Sequence, residues 1–408
     1  MIWIDDNKQA QKVLETIALC GEYPTQSIPL IPHKNIKYLR RILASMREAN
    51  LISQTGSGEL KSLRLLQAGI DALSLIHPQA KEQYMLMTGQ SGDGTKASTD
   101  SRHKSRNLRI AAVMQIMILA GVHAAIWEKP KLIEFHRDSG ISATPRKLNP
   151  QTITSNKPYF YTSKEFKRAD VEGIYKTSFT RIIGMYVCEK KTYGVFNLGK
   201  RLCEWDTSAE MKSQFLMCCV LHSTALQHEM PVNQRITDRI VMAKKLETGI
   251  RLAELSYEIK TDKNKKYYRD KKGNVLSYLN TNNDYKATHF ILENEAGVKM
   301  LKLLSISDFR KKLIKRTLED NEIADSSTAH FGYDGYNRAT GEYTLTFFDS
   351  DLKSLVDFKS SLVSYKIPYE KATVICFDWQ FELVSGFIGE SAKVYTVNID
   401  EALNMINI

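Results

Sequence analysis

The order of local patterns over residues 8–76 constrains the fold of this chain more than any other feature. Apolar residues at helical spacing, among them Val13, Leu14, Ile17 and Leu19, predict an amphipathic helix, and a short segment bounded by turns follows it. A strongly basic helix is predicted over 33–50. Small residues then separate two short extended stretches, which is typical of a hairpin. The predicted order is helix, short helix, basic helix and hairpin.

The basic helix has one apolar face, formed by Ile36, Leu39, Leu43 and Met46, which can pack on the first helix. Its cations fall largely off that face. Such a helix, followed by a glycine-tipped hairpin, predicts a winged helix-turn-helix, in which residues at the start of the third helix read bases and flanking cations hold phosphates. The alternative is an ordinary amphipathic surface helix whose arginines are only hydrated.

This pattern assigns DNA contacts residue by residue. The predicted base-reading residues are Lys34, Asn35 and Tyr38. The predicted phosphate contacts are Arg40, Arg41 and Lys61. The other predicted DNA-binding residues of this region are Lys37, Arg47, Ser57 and Arg64. Double-stranded DNA is therefore the first partner that we expect.

Composition agrees with an anionic partner and excludes other classes. The chain has 408 residues, a formal charge of +11 and a sequence pI near 9.1, which favours nucleic acid as a ligand. None of the six cysteines forms a Cys-x-x-Cys pair, which argues against zinc. The longest apolar stretch, 110–126, is interrupted by polar residues, and we expect a buried helix there and no membrane contact. The first residues do not have the order of a secretory signal, so we expect a cytoplasmic protein.

A chain of this length predicts two or three domains. We expect a winged helix-turn-helix over 1–86, a basic linker over 87–109 and a body over 110–408, which divides further near 230–286. The linker carries five cations that extend the DNA footprint in one interpretation and only keep the linker hydrated in the other: Lys96, Arg102, Lys104, Arg106 and Arg109.

The body reads as a mixture of strands and helices, so the predicted fold class is α+β or α/β. A hairpin is predicted over 181–188 and 192–198. A second hairpin is predicted over 287–292 and 298–304, followed by a helix over 307–318. The last seventy residues alternate in a different way. Strands at 343–348, 372–377 and 393–397, separated by helices at 351–363 and 379–388, predict βαβ units and a parallel sheet.

Acidic residues follow two of these strands. Asp349, Asp351 and Asp378 lie at predicted carboxyl ends, where ligands of parallel sheets collect, and three converging carboxylates could hold Mg²⁺. The alternative, which the pattern favours, is that Asp residues directly before a helix cap its N-terminus.

A second acidic set lies at Glu293, Glu295 and Lys299. Two acids at alternate strand positions followed by a lysine resemble the core of restriction-endonuclease-like nucleases, in which carboxylates hold the metal and the lysine orients the attacking water. That resemblance implies Mg²⁺ or Mn²⁺ as cofactor. The alternative is that 294–297 form a hairpin turn with exposed glutamates.

The order of winged helix, basic linker and α/β body resembles the replication-relaxation proteins of Gram-positive plasmids and integrative conjugative elements. Residues 63–73 look like the wing strand of bacterial and plasmid winged-helix proteins running into a closing helix. The central segments 180–184, 193–197 and 205–210 are similar to a segment of uncharacterised proteins of such elements. The acid-and-lysine signature of these relatives is matched only loosely, by Glu293, Glu295 and Lys299.

The resemblance implies a protein that binds element DNA during plasmid replication, mobilisation or conjugative transfer, with replication or transfer proteins as partners. Some relatives carry a nuclease-like body, which implies a metal-dependent DNA nickase, although DNA binding without catalysis is the favoured expectation. The alternative hypothesis is a winged-helix transcriptional regulator whose C-terminal domain senses a ligand or forms a homodimer.

Overall fold

The computed structural model describes residues 7–33, 35–88, 100–132, 158–168, 182–188, 191–198, 217, 220–221, 238–261, 268–269, 275–276, 287–324, 332–364 and 366–406. The chain divides into two compact units. One comprises Met1–Gly184 with Cys219–Met230, and the other comprises Met185–Cys218 with Pro231–Ile408. Both contain helices and strands, so the protein is of mixed α and β class.

The first unit begins with the helix, short helix, basic helix and hairpin that the sequence predicts over residues 8–76, together with a short strand that it does not predict. In chain order they are α1 (Lys8–Cys20), β1 (Tyr23–Pro24), a 3₁₀ helix (Thr25–Leu30), α2 (Ile36–Glu48), β2 (Ile52–Thr55), a 3₁₀ turn (Gly58–Leu60) and β3 (Ser62–Leu65). Further along are α3 (Gln67–Ile76), α4 (Pro78–Thr88), α5 (Ser101–Leu119), β4 (Tyr159–Thr162) and α6 (Ser163–Arg168). The strands β1, β3 and β2 lie in that spatial order and pair antiparallel.

Capping residues and apolar faces explain where the first helices form. Asn7 caps α1 by accepting from the backbone N–H of Ala10, and α1 ends at Gly21, whose φ of 79° disfavours any side chain. The predicted apolar face of α2 is buried at Leu39, Leu43 and Met46 and packs on α1. The buried core of α1 and α2 also includes Val13, Leu14, Ile17, Leu19 and Ile42.

The basic stretch before residue 110 is helical in its last part. Residues 101–109 form the first half of α5, which Asp100 caps, whereas the sequence predicts a linker there. The second half, at 110–117, is buried, as predicted for the apolar stretch, and α5 packs on β1 and on the 3₁₀ turn of the hairpin. The basic side chains of this stretch are therefore held by a helix.

The second unit contains two open sheets, and one strand, β5 (Ile182–Cys188), falls at the division of the chain. Other strands of the first sheet are β6 (Lys191–Asn197), β7 (Asp238–Ala243) and β10 (Ala287–Leu292), and its order includes β10, β7, β6 and β5. The pairs β6 with β7 and β7 with β10 are parallel. A separate two-stranded ladder consists of β8 (Tyr268–Arg269) and β9 (Val275–Leu276).

The second sheet has the order β11 (Glu322–Ile323), β12 (Gly335–Asn337), β13 (Glu342–Thr346), β14 (Ala372–Phe377) and β15 (Lys393–Val397). Its first three strands pair antiparallel and its last three pair parallel. The predicted βαβ units are confirmed, because α10 (Leu352–Val363) and α11 (Phe381–Ile388) connect the parallel strands. Further helices among the described residues of this unit include α7 (Leu246–Thr261), α8 (Glu295–Leu304), α9 (Phe309–Thr317) and α12 (Ile399–Ile406).

The prediction of a hairpin over 287–304 is wrong. Residues 287–292 form a strand, but β10 pairs in parallel with β7 and the next element is helix α8. Asn294 caps this helix by accepting from the backbone N–H of Gly297, and the apolar residues Val298 and Leu301 recur at helical spacing. The polar residues at 294–297 are thus a helix start, which resembles a turn in sequence.

Candidate nucleic-acid interface

The exposed face of α2 carries most of the predicted DNA-binding side chains. Lys37, Arg40, Arg41 and Arg47 are exposed, and Tyr38 is 48% exposed. Within the described part of the chain, Lys37, Arg40 and Arg41 have no acidic partner. Because these cations share one side of the helix opposite its buried stripe, they present positive charge to whatever lies against that side.

Two side chains of this face are held in place by neighbours. The guanidinium of Arg47 donates to the side chain of Gln54 on β2 at 3.0 Å, and the hydroxyl of Tyr38 accepts from the amide of Asn7 at 3.3 Å. Asn35 caps α2, because its side-chain oxygen accepts from the backbone N–H of Lys37 at 2.8 Å. That oxygen is therefore already used by the helix, and Lys34 lies outside the described residues.

The hairpin supplies exposed positions at its tip. Ser57 is exposed beside Gly56 and Gly58, whose φ angles are 81° and 53°, and Lys61 is exposed where the chain turns back. Arg64 is different, since its side chain is 2% exposed and forms an ion pair with Glu22 at 3.2 Å. The prediction that Arg64 contacts DNA is corrected by this burial, and its role is structural.

The basic residues of α5 are in three kinds of surroundings. Arg102 is exposed on the first turn. Lys104 is buried and donates to the hydroxyl of Thr55 on β2 at 2.8 Å, which ties α5 to the hairpin and removes this lysine from the predicted DNA contacts. Burial lowers the pKa of Lys104. Arg106 and Arg109 are half-buried, and Lys96 lies outside the described residues.

Sequence reasoning missed two cations that lie next to this helix. The guanidinium of Arg106 donates to the hydroxyl of Ser163 at 3.1 Å, which places the start of α6 against α5. Lys164 and Lys167 of α6 both interact electrostatically with Arg106. The only signal in the sequence is the basic character of 164–168, which is too short to identify a site.

The nuclease-like arrangement predicted for the second unit is not formed. Glu293 follows the end of β10, whereas Glu295 is the first residue of α8, so the two do not alternate on one strand. Glu293 accepts from the side chain of Asn197 at 2.8 Å, and the ammonium of Lys299 pairs with Asp400 at 2.7 Å. Glu293 and Lys299 therefore have different partners, whereas Glu295 lies one turn before Lys299 on α8, where its charge helps to raise the pKa of that lysine after the contact with Asp400.

The capping interpretation is confirmed for Asp351. Its carboxylate accepts from the backbone N–H groups of Lys353 and Ser354 at the start of α10, and from the backbone N–H of Thr288 at 2.7 Å. Burial, and then the charge of Asp349, raises the pKa of Asp351. The buried carboxylate joins α10 to β10.

The other two acids of this set have different partners. Asp349 pairs with the guanidinium of Arg310 at 3.2 Å, and Arg310 also pairs with Asp334 at 2.6 Å. Asp378 accepts from the backbone N–H of Trp379 at 2.9 Å. Among the residues that the structure describes, no group of three or more His, Cys, Asp or Glu side chains is placed to hold a metal ion.

Comparisons with known proteins identify no relative of this chain. No protein-family model, curated protein or solved structure matches the chain. Over the described residues, no helix combines the length and the apolar character that crossing a bilayer requires.

Proposed function

We propose that the protein binds double-stranded DNA through a winged helix-turn-helix in its first unit. Helix α2 is the recognition helix in this proposal, and the hairpin of β2 and β3 is the wing. The order of α1, β1, the short 3₁₀ helix, α2, β2 and β3 supports the assignment, and so does the spatial order of the strands, with β3 between β1 and β2. The proposal extends to a protein of a mobile genetic element that acts in replication, mobilisation or conjugative transfer.

The observation that carries the proposal is the exposed cationic face of α2. Arg40 and Arg41 project from a helix whose other side is fixed in the core, so their positive charge is held at a defined place beside the hairpin. Cations fixed in this way neutralise phosphates and release counterions, which favours binding to a duplex. In this proposal Lys37 and Tyr38, one turn earlier, contact base edges.

The roles within the interface differ from the sequence expectation in three places. Arg64 and Lys104 serve the core, and Asn35 caps the helix with its oxygen. The proposed phosphate contacts are Arg40, Arg41, Lys61 and Arg102, all exposed. Ser57 at the tip of the wing completes the proposed contact surface.

Removing two of these cations tests the proposal. We expect the double variant Arg40→Ala, Arg41→Ala to bind a duplex at least about tenfold more weakly than the unmodified protein, because two phosphate contacts are lost. Fluorescence anisotropy with a labelled duplex selected from a random-sequence pool measures the affinity.

A matched control separates this effect from net charge. The double variant Lys312→Ala, Lys315→Ala removes the same charge from the exposed face of α9, where neither lysine has an acidic partner among the described residues. We expect this control to retain nearly the affinity of the unmodified protein. Equal weakening in both double variants would refute a specific role for α2.

A further inference from the structure

A second group of cations lies in the first unit where α6 meets α5. It consists of Arg106, Lys164 and Lys167, and we refer to it as the α5–α6 cluster. The guanidinium of Arg106 donates to Ser163, and the ammonium of Lys164 donates to the backbone carbonyl of Met87 near the end of α4. All three side chains are half-buried, so each retains some surface. Three cations are thus held close together at a partly open position.

The charges of the cluster favour the binding of an anion, because the three cations repel one another. The pKa of Lys164 is lowered to about 7, first by burial and then by the positive charge of Arg106, with Arg64 and Lys167 acting in the same direction. Glu22 is the acid that opposes this effect. Burial and Arg106 also lower the pKa of Lys167. A negative ligand next to these groups would reverse the shift, because it favours the charged form of a lysine.

The cluster continues a row of arginines along α5. Arg102, Arg106 and Arg109 are separated by four and three residues and therefore share one face of the helix. Arg102 is exposed, and Arg106 and Arg109 are half-buried. The row leads from the exposed start of α5 towards α6. Lys104, on the same helix, attaches α5 to strand β2 of the hairpin. An extended polyanion fits such a row better than an isolated ion does.

We propose that the α5–α6 cluster binds a backbone phosphate of the duplex held by α2 and thereby extends the DNA contact beyond the wing. This inference rests on the proposed function. Phosphate contacts fix the register of a protein on a duplex without reading sequence. Because burial and the neighbouring cations lower the pKa of Lys164, a bound phosphate favours its charged form, and we expect DNA binding to take up a proton.

A purely structural role for Lys164 makes a different prediction. The lysine contacts a carbonyl near the end of α4, where a cation is favourable in itself. In that case its replacement changes stability but leaves the pH dependence of DNA affinity unaltered. The pH profile therefore separates the two roles, and a phosphodiester is a suitable probe because it does not titrate near neutral pH.

The experiment measures duplex affinity from pH 6 to 8.5 at constant ionic strength. The unmodified protein should lose affinity as pH rises through 7, with a limiting slope of about tenfold per pH unit for one proton. Lys164→Arg should keep the affinity at pH 6 and flatten the profile, because arginine stays charged. Lys164→Met should bind more weakly at pH 6 and also be flat. His103→Gln controls for an exposed histidine on α5 and should keep the unmodified profile.

The outcomes distinguish this inference from the proposal on which it rests. If Arg40→Ala, Arg41→Ala weakens binding while Lys164→Arg keeps the full pH dependence, the α5–α6 cluster is not a phosphate site and the role of α2 stands. If the unmodified protein binds no duplex at any pH, both are wrong. Should Lys164→Met fail to fold, the profile of Lys164→Arg still decides.

Discussion

The pair of Arg64 and Glu22 illustrates how burial decides the role of a charged residue. In the sequence, Arg64 is one more cation in a basic region. In the structure it lies on β3 with its guanidinium in the core, where Glu22 accepts from it at 3.2 Å and the amide of Asn107 also donates to Glu22. The sequence of β3 cannot reveal that Arg64 is buried. All four residues of this strand are buried, so its two faces do not differ in polarity.

Replacing Arg64 by methionine tests this pairing. The change keeps most of the side-chain volume but leaves Glu22 buried without its cation, so we expect a loss of about 3–5 kcal/mol in the free energy of unfolding. Urea denaturation measures it. The double variant Arg64→Met, Glu22→Gln should recover most of the loss, since the unpaired buried carboxylate is removed, and Arg102→Met on the surface should change stability by less than about 0.5 kcal/mol. A loss below 1 kcal/mol in Arg64→Met would contradict the assignment.

Asp351 gives a prediction about pH. Because its pKa is raised in the folded protein, folding favours the protonated form, and the contribution of this group to stability is largest below the ordinary carboxyl pKa and is lost as pH rises through the raised value. In Asp351→Asn the side chain at this position has no group that titrates. The stability of the unmodified protein relative to this variant should therefore fall as pH rises from the ordinary carboxyl pKa through the raised value. Thermal unfolding at several pH values measures the difference, and a difference that grows with pH would show that the pKa is lowered instead.

At the scale of elements, the parts that could be predicted from sequence are those whose periodicity is unambiguous. Helices α1 and α2 have apolar residues at three- and four-residue spacing, and the alternation of strands and helices after residue 342 fixed the βαβ order. Helix α8 was predicted as a strand because Val298–Leu304 is a short apolar run, which periodicity alone does not assign. The decisive signal was the cap at Asn294 with Gly297 behind it.

Positions where two backbones meet could not be predicted either. A Cβ on Gly69 would lie 2.1 Å from the carbonyl oxygen of Leu51, because the first turn of α3 rests on the backbone that leads into the hairpin. In the sequence this glycine is only a weak helix former. The candidate interface likewise needed the structure, since exposure alone separates Arg40 and Arg41 from Arg64 and Lys104.

The contact at Gly69 can be tested by adding one methyl group. We expect Gly69→Ala to destabilise the protein by about 1–3 kcal/mol, because the backbone of Leu51 must move to admit the new atom. Ala68→Ser also adds one heavy atom in the same turn, but at an exposed position, and should change the free energy of unfolding by less than about 0.5 kcal/mol. Chemical denaturation compares them, and equal stabilities would mean that α3 and the hairpin do not touch at this point.

At the scale of the whole molecule, the cations that give the chain its charge of +11 differ in their surroundings, and only those that retain exposed surface are available to an anionic partner. Some, such as Arg64, Lys104 and Arg310, neutralise or bridge neighbouring groups inside a unit. Others lie exposed on α2 and at the start of α5. In the second unit, four of the acids that suggested metal-dependent cleavage take part in helix caps, ion pairs or hydrogen bonds: Glu293, Asp349, Asp351 and Asp378. DNA binding through the first unit is therefore the central claim.

The salt dependence of duplex affinity tests this claim most directly. Each phosphate contact contributes about 0.9 to the slope of log affinity against log salt concentration. We predict a steep negative slope for the unmodified protein and a slope smaller by about two for Arg40→Ala, Arg41→Ala. The control Lys312→Ala, Lys315→Ala should keep the original slope. A flat salt dependence, or an unchanged slope in Arg40→Ala, Arg41→Ala, would contradict binding through α2.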